Sequence, residues 1–216
     1  MWFLYLTNAF QSSITSNLTP YVTSSFSQHS LLTIITIVSN SMAAAVYIPT
    51  AKLLDLWGRA EGFAIMVCFA TLGLIIMAAS NSLATYCAAQ VFRTIGFGGM
   101  IYCVDVITAD SSSLKHRGLA FAFTSSPYII TAFAGPKAAE GYYEHINWRW
   151  GFGTFAIVVP FVAAPLFVIL KLNLRKAKDE GVLVREESQR TLVQSIVFHI
   201  REFDGKYHVL ISSYNC

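Results

Sequence analysis

Long apolar runs separated by short polar breaks dominate the chain. A helix needs about 20 mostly apolar residues to cross the hydrocarbon core of a bilayer. Leu31–Leu54, Gly62–Ser80, Leu83–Ile107 and Trp150–Leu170 meet that requirement. Gly118–Gly135 meets it despite Pro127, because neighbouring helices can satisfy a freed carbonyl. The first run, Trp2–Phe26, is different. WFLYL opens it, but Thr7, Asn8, Gln11, Ser12, Ser13, Thr15, Ser16, Asn17 and Thr19 follow. So many polar groups are too costly to face lipid, so a helix there must turn them toward protein or water. The pattern predicts an all-α membrane protein with a six-transmembrane-helix bundle over 1–171, its spans near 2–26, 31–54, 62–80, 83–107, 118–135 and 150–170.

Beyond Leu172 the chain turns polar, which predicts a cytoplasmic linker over 172–204. Within it Leu192, Ile196, His199 and Phe203 share one helical face, as in an amphipathic helix lying on a membrane surface or against the bundle. A solvated linker is the alternative. The final stretch, 205–216, reads GKYHVLISSYNC and has too few apolar residues to begin another span. It reads like nothing before it.

Charge sharpens this division. Only 12% of residues are charged and 55% are apolar, against roughly 25% charged in an ordinary soluble domain. Of the 27 charged residues, 13 lie in 1–170 and 14 in 171–216, so the water-facing part comes last. With the N-terminus inside, Lys52, Arg59, Lys115, Arg117, Lys171, Arg175, Lys176 and Lys178 all fall on the inner side, as the positive-inside rule favours. Lys137 and Arg149 fall outside. A net charge of +3 gives no argument for a nucleic-acid partner. Cys68, Cys87 and Cys103 sit in apolar runs, where small buried residues are the expected role. His29, His116, His145, His199 and His208 have no metal-ligand spacing, so neither a metal nor a cofactor is expected.

Few residues carry chemistry. PTAKLLDLWGRAEGF, Pro49–Phe63, follows the second span and resembles the signature loop of the major facilitator superfamily, with Asp55, Gly58 and Arg59 matching. Ala51, Leu56 and Ala60 depart from it. An Asp at a helix end can accept charge-assisted hydrogen bonds that hold a gate shut and break when two halves rock. Lys52, Asp55, Gly58 and Arg59 are therefore gate candidates. Asp110 and Arg117, in ADSSSLKHRG, are candidates to complete the network. A solvated positive-inside loop is the alternative.

Arg93 lies mid-span, where an arginine costs roughly 2.5–3.5 kcal/mol on insertion scales and needs an interior partner. FRTIGFGG, Phe92–Gly99, resembles the superfamily's membrane arginine followed by glycines. Arg93 with a carboxylate such as Asp105 is the proton-coupling candidate, and a structural pair is the alternative. Lys137 and Glu140 read as an interfacial pair rather than a substrate site. Gly135–Pro136 predicts close packing and a bend.

Several longer segments are similar to one branch, the fungal siderophore–iron transporters: SSITSNLTPYVTSSF (12–26), the signature loop, GLAFAFTSSPYIITAFAGPKAAEG (118–141) and NWRWGFG (147–153). The resemblance runs from Met1 to about Asp204, which implies that 205–216 is an unrelated tail from truncation or intron read-through. It implies the N-terminal half of a proton-coupled importer of ferric siderophores, working in a bilayer with a missing C-terminal half. The address it implies is the plasma membrane or endosomal vesicles. Substrate would bind near the midplane between the halves. This half's share would be Asn8, Gln11, Ser12, Ser16 and Asn17 from the first helix and Thr124, Ser125 and Tyr128 from the fifth. A proton-coupled drug or glutathione exchanger of the same fold is one alternative. A fragment or pseudogene product without transport is another. Nothing resembles a catalytic cluster, so an enzyme is not expected.

Overall fold

The computed structural model describes residues 1–25 and 32–179, so the amphipathic face and the tail read from the sequence lie outside the described residues. The chain divides into two units, Met1–Leu172 and Asn173–Cys216. Among the described residues there is helix and no strand. The helices are α1 (Trp2–Ser25), α2 (Leu32–Trp57), α3 (Arg59–Ala79), α4 (Leu83–Ser111), α5 (Arg117–Ser125), α6 (Pro127–Gly141) and α7 (Trp148–Asp179). A π-helical turn over Tyr142–Ile146 follows α6.

α1 shows how a polar sequence becomes a helix inside a bundle. Leu4, Thr7, Gln11, Ile14, Thr15, Leu18 and Val22 are buried at three- and four-residue steps, so one face packs inward. Many polar groups are satisfied by the helix itself. Thr7 donates to the Phe3 carbonyl at 2.8 Å, Asn17 to Ser13 at 2.8 Å and Thr19 to Thr15 at 2.6 Å. Such back-bonding removes much of the cost of hydroxyls and amides away from water.

Breaks between helices have local causes. Gly58 separates α2 from α3 at φ 102, a conformation that side chains with a Cβ rarely adopt. Ser82 caps α4 by accepting from the Thr85 amide at 3.3 Å. Pro127 begins α6, where its missing N–H costs little.

α3 and α4 pack together most extensively, and α1 with α6 next. The first seam is built on glycine. A Cβ at Gly96 would run into the Ala70 backbone, and one at Gly73 would run into the Arg93 backbone. Small residues let helix backbones approach closely where no hydrophobic force separates helix from lipid. The core of the unit includes Phe63, Leu74, Met77, Tyr86, Met100 and Phe152, with Tyr86 and Phe152 meeting edge-on at 6.1 Å.

The outside is apolar too: Phe161 is 82% exposed and Ile157 69%. Such a surface suits lipid as its solvent. Among the described residues four helical stretches are long and apolar enough to cross a membrane: Arg59–Ala79, Leu83–Ser111, Arg117–Ile146 and Trp148–Ala177.

The sequence-derived ends need correction at two places. The fifth stretch, expected to stop at Gly135, stays helical through Ile146, because Lys137, Glu140 and Glu144 can sit in a helix without facing lipid. α7, expected to end at Leu170, runs to Asp179, since long basic side chains are good helix formers wherever the helix leaves the apolar layer.

Candidate functional site

Three groups of side chains hold the unit's polar chemistry. The first lies at the base, the end where α1 begins, α3 starts and α4 stops. Met1 sulfur accepts from the Thr108 hydroxyl there at 3.2 Å. Arg59, the first residue of α3, forms an ion pair with Asp110 near the end of α4. Lys171 of α7 forms another with Glu61, in the first turn of α3. That second pair was not foreseen. Its sequence signal was only a carboxylate at a helix start, where the macrodipole favours it. Arg117 joins no ion pair among the described residues. It donates to the Ala109 carbonyl at 3.1 Å, while its Nε is buried without a partner. Asp110 and Arg117 thus touch different groups, and among the described residues Arg59 with Asp110 is the link of the expected network that forms. The side chains of Lys52 and Asp55 lie outside the described residues, and Gly58 supplies the turn.

The second group is in the middle. Arg93 donates through Nη1 to the Gln11 Oε1 at 3.0 Å and through Nε to Gln90 Oε1 at 3.2 Å. Its guanidinium also lies 6.0 Å from the Phe97 ring centre. Gln11 is 1% exposed and spends its own amide on the Thr15 hydroxyl at 2.7 Å. Arg93 and Asp105 do not share a contact: the partners of Arg93 are two neutral amides. Asp105, three turns along α4, instead accepts the Tyr5 hydroxyl from α1. Tyr5 meets Tyr128 edge-on at 6.3 Å, and Tyr128 accepts from Asn8 at 2.8 Å. Trp2 donates to Ser126 at 3.0 Å beside them. These bonds tie α1 to α4 and to the α5–α6 break, and sequence reasoning did not pair them.

The third group lines a cavity of about 700 Å³ between the later part of α1 and α6 with its π-helical turn. Of the eight residues proposed for the substrate path, only Ser16 and Asn17 line it. Gln11 and Thr124 are buried, and Thr124 is bound to the Ala120 and Phe121 carbonyls at 3.1 Å. Ser125 is exposed and bonded to Phe121 at 2.8 Å. Ser12 is exposed on the same side of α1 as Ser16. Asn8 and Tyr128 bond to each other. Lys137 and Glu140 form an ion pair at 3.3 Å, and both stand on the cavity wall. Among the described residues no group of three His, Cys, Asp or Glu is placed to hold a metal ion.

The family model described as Major Facilitator Superfamily matches residues 1–213. The chain is 60% identical to the "MFS siderochrome iron transporter D" of Aspergillus fumigatus, over 94% of this chain and 34% of the relative. It is 56% identical to the "Siderophore iron transporter mirB" of Emericella nidulans, over the same shares. It is 58% identical to the "MFS siderochrome iron transporter 1" of Gibberella zeae, again over 94% and 34%. The chain thus spans about a third of the length of these relatives. Their family is one of transporters rather than enzymes. Several apolar helices and a match across nearly the whole sequence have one reading: this is a multi-pass integral membrane chain, and it belongs to the major facilitator superfamily.

Proposed function

We propose that the chain is the N-terminal part of a proton-coupled importer of ferric siderophores. The observation that carries this reading is the 54–60% identity, across 94% of the chain, to four relatives named as siderophore or siderochrome iron transporters. In this reading α1, α2, α3, α4, the α5–α6 pair and α7 are six spans with the N-terminus inside, and the remainder of the transporter supplies the opposite wall. The ferric chelate passes along the uncharged polar side of α1. Arg59 with Asp110, and Lys171 with Glu61, brace the inner end and part when the halves rock. Asp105 carries the proton, and Tyr5 positions it. The plasma membrane is the working address, with endosomal vesicles as a transit site.

The test uses yeast lacking its own siderophore uptake. The cells express this chain alone or joined to the C-terminal remainder of the Aspergillus fumigatus relative. The joined protein is expected to accumulate radiolabelled iron from a ferric hydroxamate, and a protonophore is expected to stop it. The chain alone is expected to accumulate none. Uptake that ignores the protonophore would remove proton coupling. Export of glutathione or drugs without iron uptake would replace import with exchange.

A further inference from the structure

The cavity between α1 and α6 has a definite electrostatic sign, and it begins in the backbone. Pro20 and Pro136 both stand on its wall and lie inside their helices. A proline inside a helix offers no N–H to the carbonyl four residues earlier. Here those carbonyls belong to Ser16 and Ala132. Both helices also bring their C-terminal portions to this end, where the macrodipole is negative and favours cations.

Side chains add to that sign. Glu140 and Glu144 contribute two carboxylates to the wall against one ammonium, Lys137, leaving one negative charge. Lys137 is engaged by Glu140 at 3.3 Å, and Glu144 is in no ion pair among the described residues. A flat apolar surface completes the wall: Tyr21 and Tyr143 stack with ring centres 4.1 Å apart and planes at 29°. Tyr143 and Glu144 are presented by the π-helical turn Tyr142–Ile146, an irregularity common at functional sites.

Resting on the function proposed above, we infer that this cavity is a charge-selecting recognition site, which admits neutral or cationic ferric chelates and turns away anionic ones. Iron(III) held by three singly charged hydroxamates has no net charge, whereas three doubly charged catecholates leave a trianion. About 700 Å³ lies within the roughly 300–1,000 Å³ usual for small-molecule sites. A stacked tyrosine pair suits the organic shell of a chelate, and the hydroxyl of Ser16 and amide of Asn17 suit its oxygens. Glu144 is the selecting group. A trianion several ångströms from an exposed carboxylate is disfavoured on the order of tenfold in water, and added salt screens the effect.

The experiment uses the full chain in lipid nanodiscs, titrated with ferrichrome (neutral), ferrioxamine B (cationic) and ferric enterobactin (trianionic). Binding is read by quenching of intrinsic fluorescence, and helicity is checked by circular dichroism. Ferrichrome and ferrioxamine B are expected to bind about tenfold or more tighter than the trianion in low salt, with the gap narrowing in high salt. E144K, which reverses the charge, is expected to tighten the trianion on the order of a hundredfold in low salt and to weaken ferrioxamine B. E144Q, which keeps the shape and removes the charge, is expected to narrow the gap without weakening ferrichrome. If all three chelates bind and neither variant changes their ratios, the inference is overturned and the proposed function stands. If none of the three binds to folded protein, the inference is overturned, and iron uptake by the joined protein in yeast decides the proposed function separately.

Discussion

The Arg93 guanidinium donates to the Gln11 side-chain oxygen at 3.0 Å, joining α4 to α1 across 82 residues of sequence. A mid-span arginine is expected to find a carboxylate, yet this one is held by Gln11, Gln90 and the face of Phe97. The arrangement keeps the charge satisfied without cancelling it.

Replacing Gln11 therefore exposes the cost of that charge. Q11L is expected to lower stability by about 1–3 kcal/mol, the usual consequence of leaving a buried donor unpaired. The double variant Q11L/R93L is expected to be more stable than the sum of the single losses, with a coupling of roughly 0.6–1.7 kcal/mol as in other membrane bundles. Thermal unfolding of purified protein in detergent measures both. Additive losses would mean that the two side chains do not communicate.

The α3–α4 seam makes a sharper structural demand. G96A places a methyl against the Ala70 backbone, which cannot yield as a flexible side chain does. A loss of about 1–3 kcal/mol is expected from such overpacking. At Gly141 a Cβ meets nothing within 4 Å, so G141A is expected to stay within about 0.5 kcal/mol of the parent. The same unfolding assay compares them, and equal behaviour of the two variants would contradict the packing described.

Arg59 and Asp110 form a partly exposed pair, with side chains 42% and 54% accessible. Exposed pairs contribute only about 0–1 kcal/mol, so R59D should barely move the unfolding temperature. Its effect is expected in transport, where loss of the brace slows the change between inward- and outward-open states. The charge-swapped R59D/D110R is expected to restore much of the rate. Initial uptake rates by the joined protein in yeast provide the check, and a swap no better than R59D alone would remove the brace.

Tyr5 and Asp105 are joined by a hydrogen bond from α1 to α4. D105N is expected to abolish accumulation of iron against its gradient while leaving exchange of labelled for unlabelled chelate intact. Y5F is expected to weaken accumulation severalfold, and to add nothing in the D105N background. Uptake and exchange measured side by side distinguish these outcomes. Full accumulation by D105N would assign the proton to another group.

Much of this was legible in the sequence, and the limits have physical causes. Runs such as Gly62–Ser80 and Leu83–Ile107 exceed the membrane thickness with scarcely a charge, so their helices at Arg59–Ala79 and Leu83–Ser111 were readable. The extensions of α6 and α7 were not, because hydropathy marks where lipid ends, whereas a helix ends where its backbone runs out of partners. Lys137–Ile146 and Lys171–Asp179 are polar and still helical. Asn8, Ser16 and Asn17 were recognisable as polar positions on a helix that must avoid lipid. Which of them line open space depends on packing with α6, and Gln11 was drawn inward by Arg93. Partner choice across 82 or 100 residues of chain is set by helix register, which no local pattern encodes.

The central claim is that the uncharged polar side of α1 borders the path of a ferric chelate. Thiol labelling tests it most directly, on the joined protein in yeast with Cys68, Cys87, Cys103 and Cys216 replaced, as well as the remainder's own cysteines. S16C and N17C are predicted to react with a membrane-impermeant maleimide added outside and to be protected by ferrichrome. I157C, on the apolar and 69% exposed surface of α7, is predicted to stay unlabelled in lipid. Labelling of S16C and N17C that ferrichrome leaves unchanged, or no labelling at either position, would contradict the account.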